Sequence, residues 1–128
     1  MSHDNKAIVL EGLDALFNRR DFEKAATLWS PDYIQHSRHV PAGRHGLFEL
    51  VRSLPGGAHY QSGLAMAEGD HVVVHGRYSG LDGPTLISVD IFRLEDGVMV
   101  EHWDVLQEEA AEAESAGGNP MFGDAFPS

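Results

Sequence analysis

Cysteine is absent from the 128 residues. That excludes disulfides, thiolate metal centres and a cysteine nucleophile. Long apolar runs are missing as well, and none approaches the ~20 residues that a membrane span needs. Positive charge is scarce: 9 Lys and Arg stand against 20 Asp and Glu, for a net charge of -11. Nucleic-acid phosphate and anionic lipid are therefore repelled rather than drawn in. The opening residues, MSHDNK, lack the basic-then-apolar pattern of a secretory signal, and these missing signals lead us to expect a cytoplasmic protein. No His-Glu-x-x-His pair and no phosphate-loop glycine spacing occurs, and Ser37 and Ser88 carry no local nucleophile signature.

What is present is an ordinary globular composition, 42% hydrophobic, at a size that fits one domain. Eight histidines, at 3, 36, 39, 45, 59, 71, 75 and 102, are the unusual feature. Apolar spacing over Ala7 to Arg20 predicts a helix with Ile8, Leu13, Leu16 and Phe17 on one face. Asp21 is placed to cap a second short helix through Phe22, Ala25, Ala26, Leu28 and Trp29, which Pro31 ends. Tyr33 to His36 make a short strand. A third helix follows over Gly46 to Leu54, burying Leu47, Leu50, Val51 and Leu54.

From Tyr60 onward the pattern turns to strands, at about 60–67, 71–78, 85–94 and 98–107, separated by turns at Gly69 and Gly97 and by a loop around Gly83. Helices followed by an antiparallel meander give an α+β domain over residues 1–108. We expect a cone-shaped curved sheet with the three helices over its concave face and a small-ligand cavity between them. Residues 109–128 read as an acidic tail that either docks through Met121 and Phe122, on its own domain or on a partner subunit, or stays disordered.

Strand alternation places Asp90 beside Leu86, Ser88, Phe92 and Leu94, and places His102 and Asp104 side by side with Val98, Val100 and Leu106. A carboxylate among apolar neighbours reaches water, finds a partner or lines a pocket. The His102–Asp104 pair fits either a cavity wall or a hydrogen-bonded buttress of the sheet, and a bulge would bring Trp103 inward instead. His36 ends the first strand on the face of Ile34. His75 shares a face with Val73 and Arg77. A metal held by His36, His75, His102 and a carboxylate is chemically possible, but we expect no metal.

The runs Asp32-Tyr33-Ile34-Gln35-His36, Gly43-Arg44-His45-Gly46, Val89 through Gly97 (VDIFRLEDG) and Val100-Glu101-His102-Trp103-Asp104 resemble the SnoaL-like polyketide cyclase family of the nuclear-transport-factor-two-like superfamily, which includes ketosteroid isomerase. The resemblance spans about residues 6–108. It implies a cystatin-like α+β barrel, commonly a homodimer, with an apolar pocket, a few acid/base groups and no cofactor. It carries the cyclases' catalytic aspartate onto Asp104. The isomerases' carboxylic-acid donor falls on Asp90 and their general base on His36. Their first-helix oxyanion tyrosine falls on Leu13, which cannot donate.

The expectation that follows is proton transfer next to the carbonyl of a small apolar molecule, of the cyclase or isomerase type. Asp104 would be the base, His102 or His36 an orienting or relaying group, and Asp90 a neutral donor. His75, Phe92, Trp103, Trp29 and Phe17 would shape the substrate site, with Leu47 and Leu64 as further walls. A non-catalytic ligand-binding or dimerisation module and a hydratase or dehydratase are the alternatives.

Overall fold

The structure is a computed structural model that describes residues 4–127; His3 and the first residues of the expected domain lie outside this range. Helix α1 (Asn5–Leu13) opens under a cap from Asp4, whose carboxylate accepts the Ala7 N–H at 3.1 Å. It runs into a π-helical turn, Asp14–Asn18. Asp21 caps α2 (Phe22–Ala26) through the Lys24 N–H at 3.0 Å, as its position predicts. Helix α3 spans Gly43–Ser53. The strands are β1 (Trp29–Gln35), β2 (His59–Glu68), β3 (His71–Ser79), β4 (Leu86–Glu95) and β5 (Val98–Glu108).

The second helix is shorter than its apolar spacing suggested. Thr27 closes its last turn onto the Lys24 carbonyl, and the Leu28 carbonyl then accepts the Met99 N–H at 2.8 Å. That bond draws Trp29 into the sheet instead of the helix. Pro31 is tolerated in β1 because β1 is an edge strand, where a missing N–H leaves no ladder partner unpaired.

The five strands form one curved, unclosed sheet in the order β1-β5-β4-β3-β2. β2 through β5 are the antiparallel meander read from the sequence, whereas β1 joins β5 in parallel. The chain is α+β, as expected. Helices α1 and α3 cover the inner face, α1 against β2 and β3 and α3 against β1. Val9, Leu13, Leu16, Trp29, Val51, Val72, Val74, Phe92 and Met99 are buried between the layers.

One bulge decides which residues of β5 face inward. Arg93 pairs with Glu101, but Leu94 pairs with Met99, so Val100 has no opposite number. The extra residue puts both Met99 and His102 on the inner face, although they are three apart. Val98 and Val100 therefore do not share the face of His102, contrary to simple alternation. The bulge lies before His102, so Trp103 stays outside.

The tail folds back on its own domain. Beyond a 3-10 turn, Glu112–Glu114, the Met121 sulfur accepts the Ala110 N–H at 3.2 Å. Phe122 is 4% exposed, its ring beside His75 and under the Arg77 guanidinium. Gly63 admits it: a Cβ there would lie 2.9 Å from the Phe122 ring. Arg77 holds the start of the tail through an ion pair with buried Glu109. Among the described residues, no helix is long and apolar enough to cross a membrane.

Candidate functional site

Between the helices and the inner sheet face lies a cavity of about 220 Å³. Its apolar wall includes Leu13, Phe17, Trp29, Leu47 and Phe92, and its polar groups are Tyr33, Gln35, His39, Tyr78, His102 and Asp104. The hollow is mostly greasy, with its polar groups contributed by β1, the loop after it, β5 and β3, the usual make-up of a small-molecule site.

Asp90 and Asp104 are direct cross-strand partners on β4 and β5. Ligand atoms of Asp90, His102 and Asp104 all lie within 4.8 Å of one another. The three are not equivalent. Asp90 is 1% exposed, and both its oxygens are engaged inside the wall. Oδ2 accepts from Ser88 Oγ at 2.8 Å and from Tyr78 Oη at 3.2 Å, and Oδ1 faces His102 Nε2 at 2.8 Å. It lies behind His102 rather than on the cavity surface, so the expected role of neutral donor to a ligand does not fit. Asp104 does line the cavity, half-buried.

His102 is held on four sides. Its Nδ1 lies 2.7 Å from Gln35 Oε1 and its Nε2 meets Asp90, while Tyr33 stacks on one side at 6.2 Å and Phe92 lies 4.8 Å away. Gln35 Oε1 also accepts the Ser37 backbone N–H at 2.9 Å, and its Nε2 is buried without a hydrogen-bond partner among the described residues. Burial pushes the Tyr33, Tyr60 and Tyr78 phenols well above their usual range, and the charge of Asp90 adds to the effect on all three. They remain protonated and are not bases; of the three hydroxyls, that of Tyr78 donates to Asp90, whereas that of Tyr60 is buried with no hydrogen-bond partner among the described residues.

The remaining sequence candidates divide cleanly. Phe17, Trp29 and Phe92 line the cavity. His36, His75 and Trp103 are on the opposite face of the sheet, because alternation turns them outward. His36 stacks flat on Trp103 at 4.8 Å and pairs with Glu101 at 2.7 Å. Glu101 also accepts from Arg93 Nε at 2.8 Å, and these two partners hold its carboxyl below the usual carboxylate range. His75 packs against Phe122 of the tail. The metal set of His36, His75 and His102 therefore does not assemble, and Leu64 is exposed rather than a wall. His39 is exposed at the cavity rim.

The residues that sequence reasoning missed are Tyr33, Gln35, Tyr78 and Ser88. The signal for the first two was available: if Ile34 and His36 face one way on β1, Tyr33 and Gln35 face the other. The π-turn adds a support that no pattern announced. Asn18 donates to the Tyr60 carbonyl at 2.9 Å and accepts the Tyr60 N–H at 2.8 Å, standing in for a strand neighbour.

Comparison with known proteins agrees with this architecture. The model of the SnoaL-like domain matches residues 10–102. Among solved structures, TsrD from Streptomyces laurentii is similar at 23% identity, covering 84% of this chain and 91% of that one, with a TM-score of 0.71. IdmH from Streptomyces antibioticus, named as a candidate polyketide cyclase, is similar at 21% identity over 82% of this chain and 93% of that one, TM-score 0.66. A protein from Kribbella flavida named as a candidate ketosteroid isomerase is similar at 21% identity over 81% and 78%, TM-score 0.71. At these identities the likeness is one of fold. No protein of curated function matches the chain.

Proposed function

Because the chain belongs to the SnoaL-like domain family, we propose that it is a cofactor-independent acid/base enzyme that moves a proton next to the carbonyl of a small, largely apolar molecule. The observation that carries this reading is Asp104, a half-buried carboxylate facing an apolar hollow beside the Asp90–His102 pair. Asp90 is engaged by Ser88, Tyr78 and His102, whereas no hydrogen bond or ion pair among the described residues engages Asp104, which leaves Asp104 as the carboxylate free to act. A carboxylate shielded from water is a better base towards a C–H than a hydrated one. The unpaired Gln35 Nε2 supports a ligand that brings an acceptor oxygen, since a buried N–H without a partner is costly until something meets it.

The test is exchange of α-hydrogens of β-tetralone and acetophenone with heavy water, followed by proton NMR. The wild-type protein accelerates exchange, and Asp104→Asn lowers the rate by about a hundredfold to ten-thousandfold, the usual worth of a general base. Binding of both ketones without exchange would leave the non-catalytic ligand-binding module as the better description.

We also propose that the chain forms a homodimer through the outer sheet face. Support comes from Met66, Val89 and Val105, exposed at 63%, 39% and 72%, with Val89 and Val105 adjacent across β4 and β5. Sedimentation of Val105→Lys at the concentration where the wild type is dimeric gives a monomer. An unchanged sedimentation coefficient would place the contact elsewhere.

A further inference from the structure

The bonds around Gln35 fix where the protons of His102 sit. A backbone N–H can only donate, so the Ser37 amide, 2.9 Å from the Gln35 side chain, identifies its contact atom as the carbonyl oxygen. His102 Nδ1 lies 2.7 Å from that same oxygen. An amide oxygen cannot donate, so Nδ1 must carry the hydrogen of this bond. On the other side of the ring, Nε2 lies 2.8 Å from Asp90 Oδ1. Asp90 Oδ2 is occupied by hydroxyl donors from Ser88 and Tyr78. A single proton therefore lies between Nε2 and Oδ1, and neither ring nitrogen is open to a ligand.

We propose that Gln35 is a positioning residue: its side-chain oxygen, pinned by the loop after β1, sets the tautomer of His102, which turns the imidazole into a fixed partner of Asp90 and leaves Asp104 to accept the ligand's proton. The charged and titratable groups around His102 are Asp90 on β4, Asp104 on its own strand, Tyr33 on β1 and Tyr78 on β3. Only Gln35 among its contacts forces Nδ1 to donate. Tyr33 stacks against the ring and Phe92 lies tilted beside it, and turning the ring over would exchange the nitrogens between Gln35 and Asp90 and break both contacts. The consequence for catalysis rests on the proposed role of Asp104, but the tautomer itself does not.

The experiment reads proton position without turnover, so its failure is distinguishable from failure of the carbonyl-enzyme reading. Long-range proton–nitrogen NMR on the ¹⁵N-labelled full chain at neutral pH is compared for the wild type, Gln35→Glu and Gln35→Leu. In the wild type, His102 Nδ1 gives a protonated-type nitrogen signal and a slowly exchanging N–H. Gln35→Glu keeps an acceptor at the same place and retains both. Gln35→Leu removes it, and the Nδ1 proton exchanges with solvent at least roughly tenfold faster, the effect of losing one hydrogen bond. A wild-type His102 protonated only at Nε2 overturns the proposal, and so does a Gln35→Leu spectrum identical to wild type. Should Gln35→Leu fail to fold, the wild-type and Gln35→Glu spectra decide by themselves.

Discussion

Raising the pH interrogates the dryness of the site through all of the chain's tyrosines at once. There are three, Tyr33, Tyr60 and Tyr78: Tyr33 and Tyr78 line the cavity, and Tyr60 packs against Tyr78 with ring centroids 4.8 Å apart. Burial first, and the charge of Asp90 after it, raises each phenol above its ordinary value of 10.0. The unfolded chain keeps the ordinary value. Between 10 and the raised folded values, the folded protein therefore holds protons that the unfolded chain has released. Stability is intact below pH 10 and falls as the pH rises above it. Each unit costs about 1.4 kcal/mol per tyrosine, or about 4 kcal/mol for the three together. By about pH 12 the loss is about 8 kcal/mol, comparable with the whole stability of a typical domain, about 5–15 kcal/mol. The assay follows tyrosinate by near-ultraviolet absorbance and the fold by far-ultraviolet circular dichroism across the same titration. Tyrosinate should be nearly absent near pH 10 and should appear together with loss of the fold. Three phenols titrating reversibly near pH 10 with the dichroism unchanged would mean a hydrated site and refute the reasoning.

Other perturbations test separate parts of the account. Gly76→Ala would place a Cβ 2.6 Å from Tyr60 Cε1 and 2.7 Å from Cζ, and overpacking against the ring of a residue whose backbone is pinned by Asn18 lowers stability by about 1–3 kcal/mol in urea unfolding; a neutral result would show that the Tyr60 ring is loosely held. Phe122→Ala removes the anchor of the tail, and hydrogen exchange at the Ala110 amide rises towards the unprotected rate, whereas retained protection would assign the docking to Glu109 and Met121 instead. The depressed Glu101 carboxyl, held by His36 and Arg93, adds stability at and above its ordinary value of 4.5 that is lost as the pH falls through its lower folded value. The acid limb of the thermal midpoint should therefore be shallower in Glu101→Gln, and superimposable curves would deny the network a role.

Much of this architecture is written in the sequence as period and punctuation. The three helices, the meander and the caps at Asp21 and at the glycine turns follow from local chemistry. So does the inward face of β4, where plain alternation holds and Asp90 and Phe92 fall where they should; alternation holds on β3 too, but it turns His75, expected in the substrate site, to the outer face. Two kinds of feature do not follow. The Val100 bulge shifts register by one residue, and only the pairing of Met99 with Leu94 discloses it. It leaves His102 and Asp104 inward as read, but it reverses Val98, Met99 and Val100. The other feature is β1. A short edge strand gives too few residues for alternation to name a face, so His36 attracted attention for its chemistry while Tyr33 and Gln35 held the inward positions. Asp90 was correctly placed on the inner side, yet its role depended on depth: with hydroxyls and an imidazole around it, it anchors His102 instead of meeting a ligand.

The central claim is that Asp104 meets the reacting carbon of a bound ketone inside the hollow. A crystal structure of the protein with β-tetralone tests it most directly. The account predicts the ring between Phe17, Trp29 and Phe92, with an α-carbon about 3–3.5 Å from a carboxylate oxygen of Asp104. A ketone seated on the outer sheet face, or an Asp104 turned away from it into solvent, would contradict the account.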